Sequence, residues 1–224
     1  MKSASNLFKR KKASFVLVNS LSYNFHGIVI IPNDYKGFTI TSNHGETYYT
    51  QVLNGQVIVN VKLKPFSFTT FIKGEKIIEK LESDSGLILE NHMIKYEFNN
   101  DGTLKVAYDK EQKLNLLKNN GNVLSLYEDR PLNWDAWDID FYYKDSLLET
   151  ATVKNIDKVV NGNVCSALNI SYVIGNSKID QKITLANDSK RLDFNTSVDW
   201  SEKHKMLRVH FPTIVKSEQA SYDI

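Results

Sequence analysis

The chain has 224 residues, 42% of them hydrophobic and 24% charged, with only four prolines and ten glycines; this is the make-up of a folded protein, longer than the usual single domain of about 100 to 200 residues. Twenty-eight basic residues against 26 acidic ones give a formal charge of +2, too balanced to imply a nucleic-acid partner, and no stretch approaches the roughly 20 apolar residues of a membrane span. The sole cysteine, Cys165, excludes an internal disulfide, which favours a cytoplasmic protein over a secreted one.

Along the chain, Lys9, Arg10, Lys11 and Lys12 form a basic cluster. Residues 15–18 behind it are too short an apolar run for a signal peptide. A nuclear or phosphate-binding patch is one reading of the cluster; a solvated tail is the usual one. Strand signals then dominate and helix signals are nearly absent: runs rich in Val, Ile, Tyr, Phe and Thr alternate with Asn, Asp, Gly and Ser clusters. Strands are predicted over 14–19, 27–31, 38–41, 48–53, 56–63 and 66–73, with Asn54-Gly55 as a tight hairpin turn. Their spacing is that of a small β-sandwich, residues 1–80, with a junction inside 74–86.

A second set of strands follows, at 87–90, 93–98, 103–108, 123–127, 137–143, 148–155, 164–174, 177–185, 191–200 and 207–211. Residues 99–102, Gly175-Asn176 and Asn187-Asp188-Ser189 mark turns. The expectation is an all-β protein whose second domain, residues 81–224, begins a large antiparallel sandwich of long strands. Residues 221–224 resemble the start of another strand with no partner after it, which predicts a longer parent protein.

The densest information lies at residues 127–143, YEDRPLNWDAWDIDFYY, where two tryptophans and five acids fall within seventeen positions. Trp134 and Trp137 interleaved with Asp135, Asp138 and Asp140 suit a sugar: aromatic faces stack on C–H surfaces while carboxylates accept hydroxyl protons. Asp129 and Arg130 are placed to pair with each other. Equally, Pro131 and Asn133 fit a turn whose tryptophans cover the end of a sandwich. On a strand, alternate acids stand about 6.6 Å apart on one face, a generic spacing to which we assign no catalysis. A zinc site at His204, His210 and Glu202 is disfavoured, because six residues of strand separate the histidines by about 20 Å. His26, His44 and His92 lack metal-site spacing, and Cys165 in a strand pattern reads as a small buried hydrophobe. No phosphate-binding Gly-rich loop or Gly-x-Ser-x-Gly elbow is present.

Residues 127–143 resemble the signature E-D-x-P-x-N-x-D-A-W-D-x-D of the C-terminal domain of glycoside hydrolase family 38 α-mannosidases, with Arg130 and Trp134 in variable slots. Three further stretches resemble the family in order and spacing: FVLVNSLS at 15–22, with Ser20 where the family usually has proline; the block from Leu89-Glu-Asn-His through Asp101-Gly-Thr-Leu to Tyr108-Asp-Lys; and Arg191-Leu-Asp-Phe onward to Pro212. The resemblance implies a galactose-mutarotase-like supersandwich that follows an N-terminal α/β barrel and a three-helix bundle, neither of which is present. It also implies hydrolysis of terminal α-mannosides with retention, in which a nucleophilic carboxylate and an acid/base carboxyl stand roughly 5 Å apart, with a zinc ion that holds the sugar. The nucleophile and the zinc ligands are expected on the barrel, so no catalytic or metal residue is expected here. Arg130, Asn133, Trp134, Asp135, Trp137 and Asp138 are expected to meet the α-mannoside or the catalytic and helical domains of the same parent chain. The other reading is a stand-alone, noncatalytic carbohydrate-binding or scaffolding module.

Overall fold

A computed structural model describes residues 14–77, 82–84, 86–135, 137–157 and 159–220. The basic cluster at 9–12, residues 78–81 and 85 of the predicted junction, and the terminal 221–224 lie outside the described residues. Twenty strands and two short 3-10 turns, Asn33–Tyr35 and Phe141–Asp145, make up the regular structure that is described. The protein is all-β. It divides into two compact units, Met1–Glu82 with Gly162–Cys165, and Ser83–Asn161 with Ser166–Ile224.

The first unit holds β1 (Ser14–Asn19), β2 (Phe25–Ile31), β3 (Phe38–Ser42), β4 (Thr47–Tyr48), β5 (Thr50–Leu53), β6 (Gln56–Leu63) and β7 (Ser67–Lys76). One sheet runs β1-β7-β3-β4 and the other β2-β6-β5. In β6 the period-two alternation sends Val57, Val59, Val61 and Leu63 to one face, where they meet Ile40 and Phe71 of the opposite sheet. Asn54 and Gly55, at φ of 51° and 76°, make the expected hairpin turn and fix Leu53 opposite Gln56. The predicted strand 48–53 is two strands. β4 pairs with β3 in one sheet and β5 with β6 in the other, so the chain changes sheets at Tyr49, whose ring is exposed. Gln51 is 1% exposed; its carbonyl accepts the N–H groups of Val164 and Cys165, and its amide donates to the Cys165 carbonyl.

The second unit contains β8 (Glu82–Asp84), β9 (Ile88–Glu90), β10 (Ile94–Phe98), β11 (Leu104–Asp109), β12 (Leu114–Asn115), β13 (Val123–Glu128), β14 (Leu147–Thr150), β15 (Thr152–Ile156), β16 (Val159–Asn161), β17 (Cys165–Ile174), β18 (Ser177–Ala186), β19 (Leu192–Asp199) and β20 (Lys205–His210). They form sheets ordered β12-β11-β10-β9, β14-β13-β20 and β19-β18-β17-β16-β8, with β15 also on β17. The core gathers Leu89, Ile94, Leu126, Leu168, Ile179 and Ile183, among others, from all three. The predicted run 148–155 is also two strands. β14 pairs with β13 and β15 with β17, and Ala151 between them donates to Leu124. The predicted strand 137–143 is absent: Phe141–Asp145 is a 3-10 turn, and the residues before it form a loop.

One polar cluster sits inside this apolar core. Asn122, 1% exposed, donates to the Gly102 carbonyl, the Tyr172 hydroxyl and the Gln181 amide oxygen, and accepts from the Gln181 amide nitrogen. Tyr172 also donates to Gly102. Gly102 is required there twice over: its φ is +77°, and a Cβ would lie 2.5 Å from the Tyr172 hydroxyl oxygen.

Candidate functional site

The link between β13 and β14 carries every site residue expected from the sequence, and its two ends are tied down. Glu128 N–H donates to the Ser146 carbonyl, and Asp129 N–H to the carbonyl of His204 just before β20. Tyr143 packs edge-on against Tyr127 at 5.4 Å, while Arg208 of β20 lies over its ring and donates to its hydroxyl. Tyr127 in turn shares a 3.1 Å hydrogen bond with His210. The Arg208 and His210 contacts join residues 65 and 83 positions apart, so no local pattern signals either as part of the site.

Beyond the neck the loop is folded by its own backbone. The Trp134 carbonyl accepts from the N–H groups of both Trp137 and Asp138, and Trp134 takes φ of +59°, a left-handed conformation that costs a bulky L-residue about 1–2 kcal/mol. Asp140 reaches back to accept the Leu132 N–H at 2.7 Å and the Tyr142 hydroxyl on the same oxygen. Asp138 accepts the neighbouring Ile139 N–H. Asp135, Asp138 and Asp140 therefore do not form the strand row that their alternation suggests. A further correction concerns Arg130, which pairs with Glu128 at 2.8 Å and not with Asp129.

The result is an anchored loop whose apolar side chains face outward. Trp134 is 75% exposed and Trp137 90%, and Leu132 and Phe141 exceed 80%. Asn133, Asp135 and Asp138 are exposed beside them. Exposed large apolar groups rimmed by acids mark a surface that meets another molecule or another part of a longer protein. Asp135 and His204 lie 3.7 Å apart. Among the described residues no three His, Cys, Asp or Glu side chains are placed to hold a metal ion, and no helix is long and apolar enough to cross a membrane.

The Tyr142 hydroxyl and then the Leu132 N–H hold the Asp140 carboxyl below the usual carboxylate range; the same bond pushes Tyr142 up. Because the folded value is the lower one, this contact favours the folded loop above about pH 4, the ordinary aspartate value, and the benefit is lost as pH falls through the lowered value. Fluorescence of the tryptophans, two of the three being on this loop, is expected to hold steady from about pH 7 to 5 and to change below about 4. Asp140→Asn is expected to show the acid signal already at neutral pH; an unaltered acid transition in that variant would refute the role of Asp140.

The tryptophan–acid loop stands outward on an all-β frame, and comparison with known proteins gives the chain a family. Residues 89–224 match the model of the glycosyl hydrolases family 38 C-terminal domain, so the chain belongs to that family. It is 28% identical over 242 residues to alpha-mannosidase G of Dictyostelium discoideum, covering 96% of this chain and 22% of that protein. It is also 31% identical over 169 residues to alpha-mannosidase 2C1 of Homo sapiens, covering 71% and 16%, and 30% identical over 132 residues to an alpha-mannosidase of Saccharomyces cerevisiae, covering 55% and 12%. The chain thus spans less than a quarter of the length of these relatives.

Proposed function

We propose that this chain is the C-terminal β-region of a retaining, cytoplasmic α-mannosidase acting on terminal α-mannosides, and that Arg130, Asn133, Trp134, Asp135, Trp137 and Asp138 form its contact with the sugar or with the catalytic domain of the same protein. The observation that carries this reading is the exposure of Trp134 and Trp137 on a loop whose neck is fixed by Tyr127, Tyr143 and Arg208. Solvent-facing indoles on an anchored turn cost free energy unless something covers them. The nucleophile and the zinc ion belong, on this reading, to residues outside the segment, and the acids of the loop support binding. A stand-alone binding module is less well supported, because the relatives named alpha-mannosidases match the chain over only part of their length.

The test is a Trp134→Ala/Trp137→Ala double variant of the longer protein. Both side chains are exposed, so the fold is expected to be unaffected. We expect kcat/KM for an aryl α-mannoside to fall at least about tenfold, the equivalent of roughly 1.4 kcal/mol of lost transition-state stabilisation. A KM effect would point to the sugar and a kcat effect to the positioning of the catalytic domain. Unchanged kinetics would remove the loop from the reaction.

A further inference from the structure

The core of the second unit is open along one side. Ile179 of β18 stands opposite Val198 of β19 in the antiparallel register, so both side chains leave the sheet on the same face. Ile179 is fully buried in the core, yet Val198 is 41% exposed. The same step occurs in another sheet: Leu124 of β13 stands opposite Val209 of β20, with exposures of 5% and 47%. Phe194 of β19 meets Phe211 just after β20, with ring centroids 5.4 Å apart, which sets the two strands face to face across the opening. Phe211 and Trp200, two positions beyond Val209 and Val198, are exposed as well.

Both strands are also the last of their sheets. β19 ends the order β19-β18-β17-β16-β8 and β20 ends β14-β13-β20, so among the described residues no strand lies beyond either. Proteins blunt such edges with lysine, proline, bulges or very short strands. β19 has none of these: Leu-Asp-Phe-Asn-Thr-Ser-Val-Asp keeps eight consecutive register pairs with no shift. Its two acids, Asp193 and Asp199, alternate onto the face away from Phe194 and Val198. An unblunted edge above an uncovered core is a template for another strand.

We propose that a further strand, supplied by the longer protein, pairs with β19 and closes this seam. The chain spans less than a quarter of the relatives it matches, so more than three-quarters of each relative is polypeptide from which such a strand can come. The edge itself sets the chemistry of recognition: a row of backbone N–H and C=O groups, apolar side chains opposite Phe194 and Val198, and polar ones opposite Asp193, Asn195 and Ser197. Cover over Val198, Val209, Trp200 and Phe211 adds the hydrophobic gain. The inference rests on the chain being one part of a longer protein and not on the reaction proposed above.

The test is hydrogen–deuterium exchange of the β19 segment in the 224-residue chain and in the longer protein at matched concentration. Exchange at alternate β19 amides is expected to be at least about a hundredfold slower in the longer protein, while β17, at the centre of the same sheet, is protected in both. A Val198→Asp/Val209→Asp variant of the longer protein, which puts two charges under the covering strand, is expected to lose that added protection at β19 and keep it at β17. Equal exchange of β19 in the two proteins, or added protection that survives the double variant, would overturn the proposal. So would protection that rises with the concentration of the 224-residue chain and is matched but not exceeded in the longer protein, which would give the edge to a second copy. None of these outcomes involves turnover, so failure here and failure of the proposed reaction are read separately.

Discussion

Asn122→Ala is expected to destabilise the second unit by about 3–5 kcal/mol, the upper end of single-substitution effects. Its amide makes four of the hydrogen bonds that satisfy the buried cluster, to Gly102, Tyr172 and both polar atoms of Gln181. Removing it leaves the Gln181 amide oxygen without that donor in the core and strips one donor from the Gly102 carbonyl. Alanine would also inherit φ of +52°, which asparagine tolerates better than alanine does. Burial already pushes the Tyr172 hydroxyl far above its ordinary value, so the cluster stays neutral and its loss cannot be offset by ionisation. Urea denaturation and amide exchange at Gly102 and Tyr172 would read the effect. Asn120→Ala serves as the control: Asn120 is exposed and its amide donates to the Thr103 hydroxyl at 3.3 Å, and the substitution is expected to cost about 0.5 kcal/mol or less. Equal midpoints for the two variants would show that the cluster contributes little.

The strands were most legible where a single sheet and a single face governed the pattern. β1 and β6 have the bounds that their alternation predicts, 14–19 and 56–63, and Asn54-Gly55 sits in the turn that only left-handed residues make easily. Legibility failed where the chain changed sheets. At Tyr49 and Ala151 the sequence continues in strand-like residues while the hydrogen-bond partner changes, and no periodicity marks that corner. It failed again at 137–143. There W-D-I-D-F alternates as a strand would, but the bonds of Trp134 to Trp137 and Asp138, and of Asp140 to Leu132 and Tyr142, turn the chain back on itself.

For the candidate loop, composition singled out the tryptophan–acid stretch and left open whether its tryptophans face a sugar or cover the end of a sandwich. The supports were not visible: Arg208, His204 and His210 reach the loop from the far end of the chain only because β20 pairs with β13, Leu126 opposite Leu207 and Glu128 opposite Lys205. Which acid does what also depended on the fold. Asp140 reads as one of three equivalent carboxylates in sequence, yet in the structure it is the buckle of the loop.

That arrangement bears on where hydrolysis occurs. A retaining glycosidase needs one carboxyl held protonated as general acid, with its pKa raised, and a second as nucleophile roughly 5 Å away. Asp140 is shifted in the opposite direction, so it is not set up as a general acid. The measurement that tests the account most directly is hydrolysis of a chromogenic aryl α-mannoside by the 224-residue chain, with and without added zinc, beside the longer protein. The account predicts turnover by the longer protein and a rate at least about a thousandfold lower for the chain, a difference of about 4 kcal/mol in activation free energy. Comparable turnover by the chain alone, abolished by Asp138→Asn or Asp140→Asn, would contradict it and place the chemistry on the loop itself.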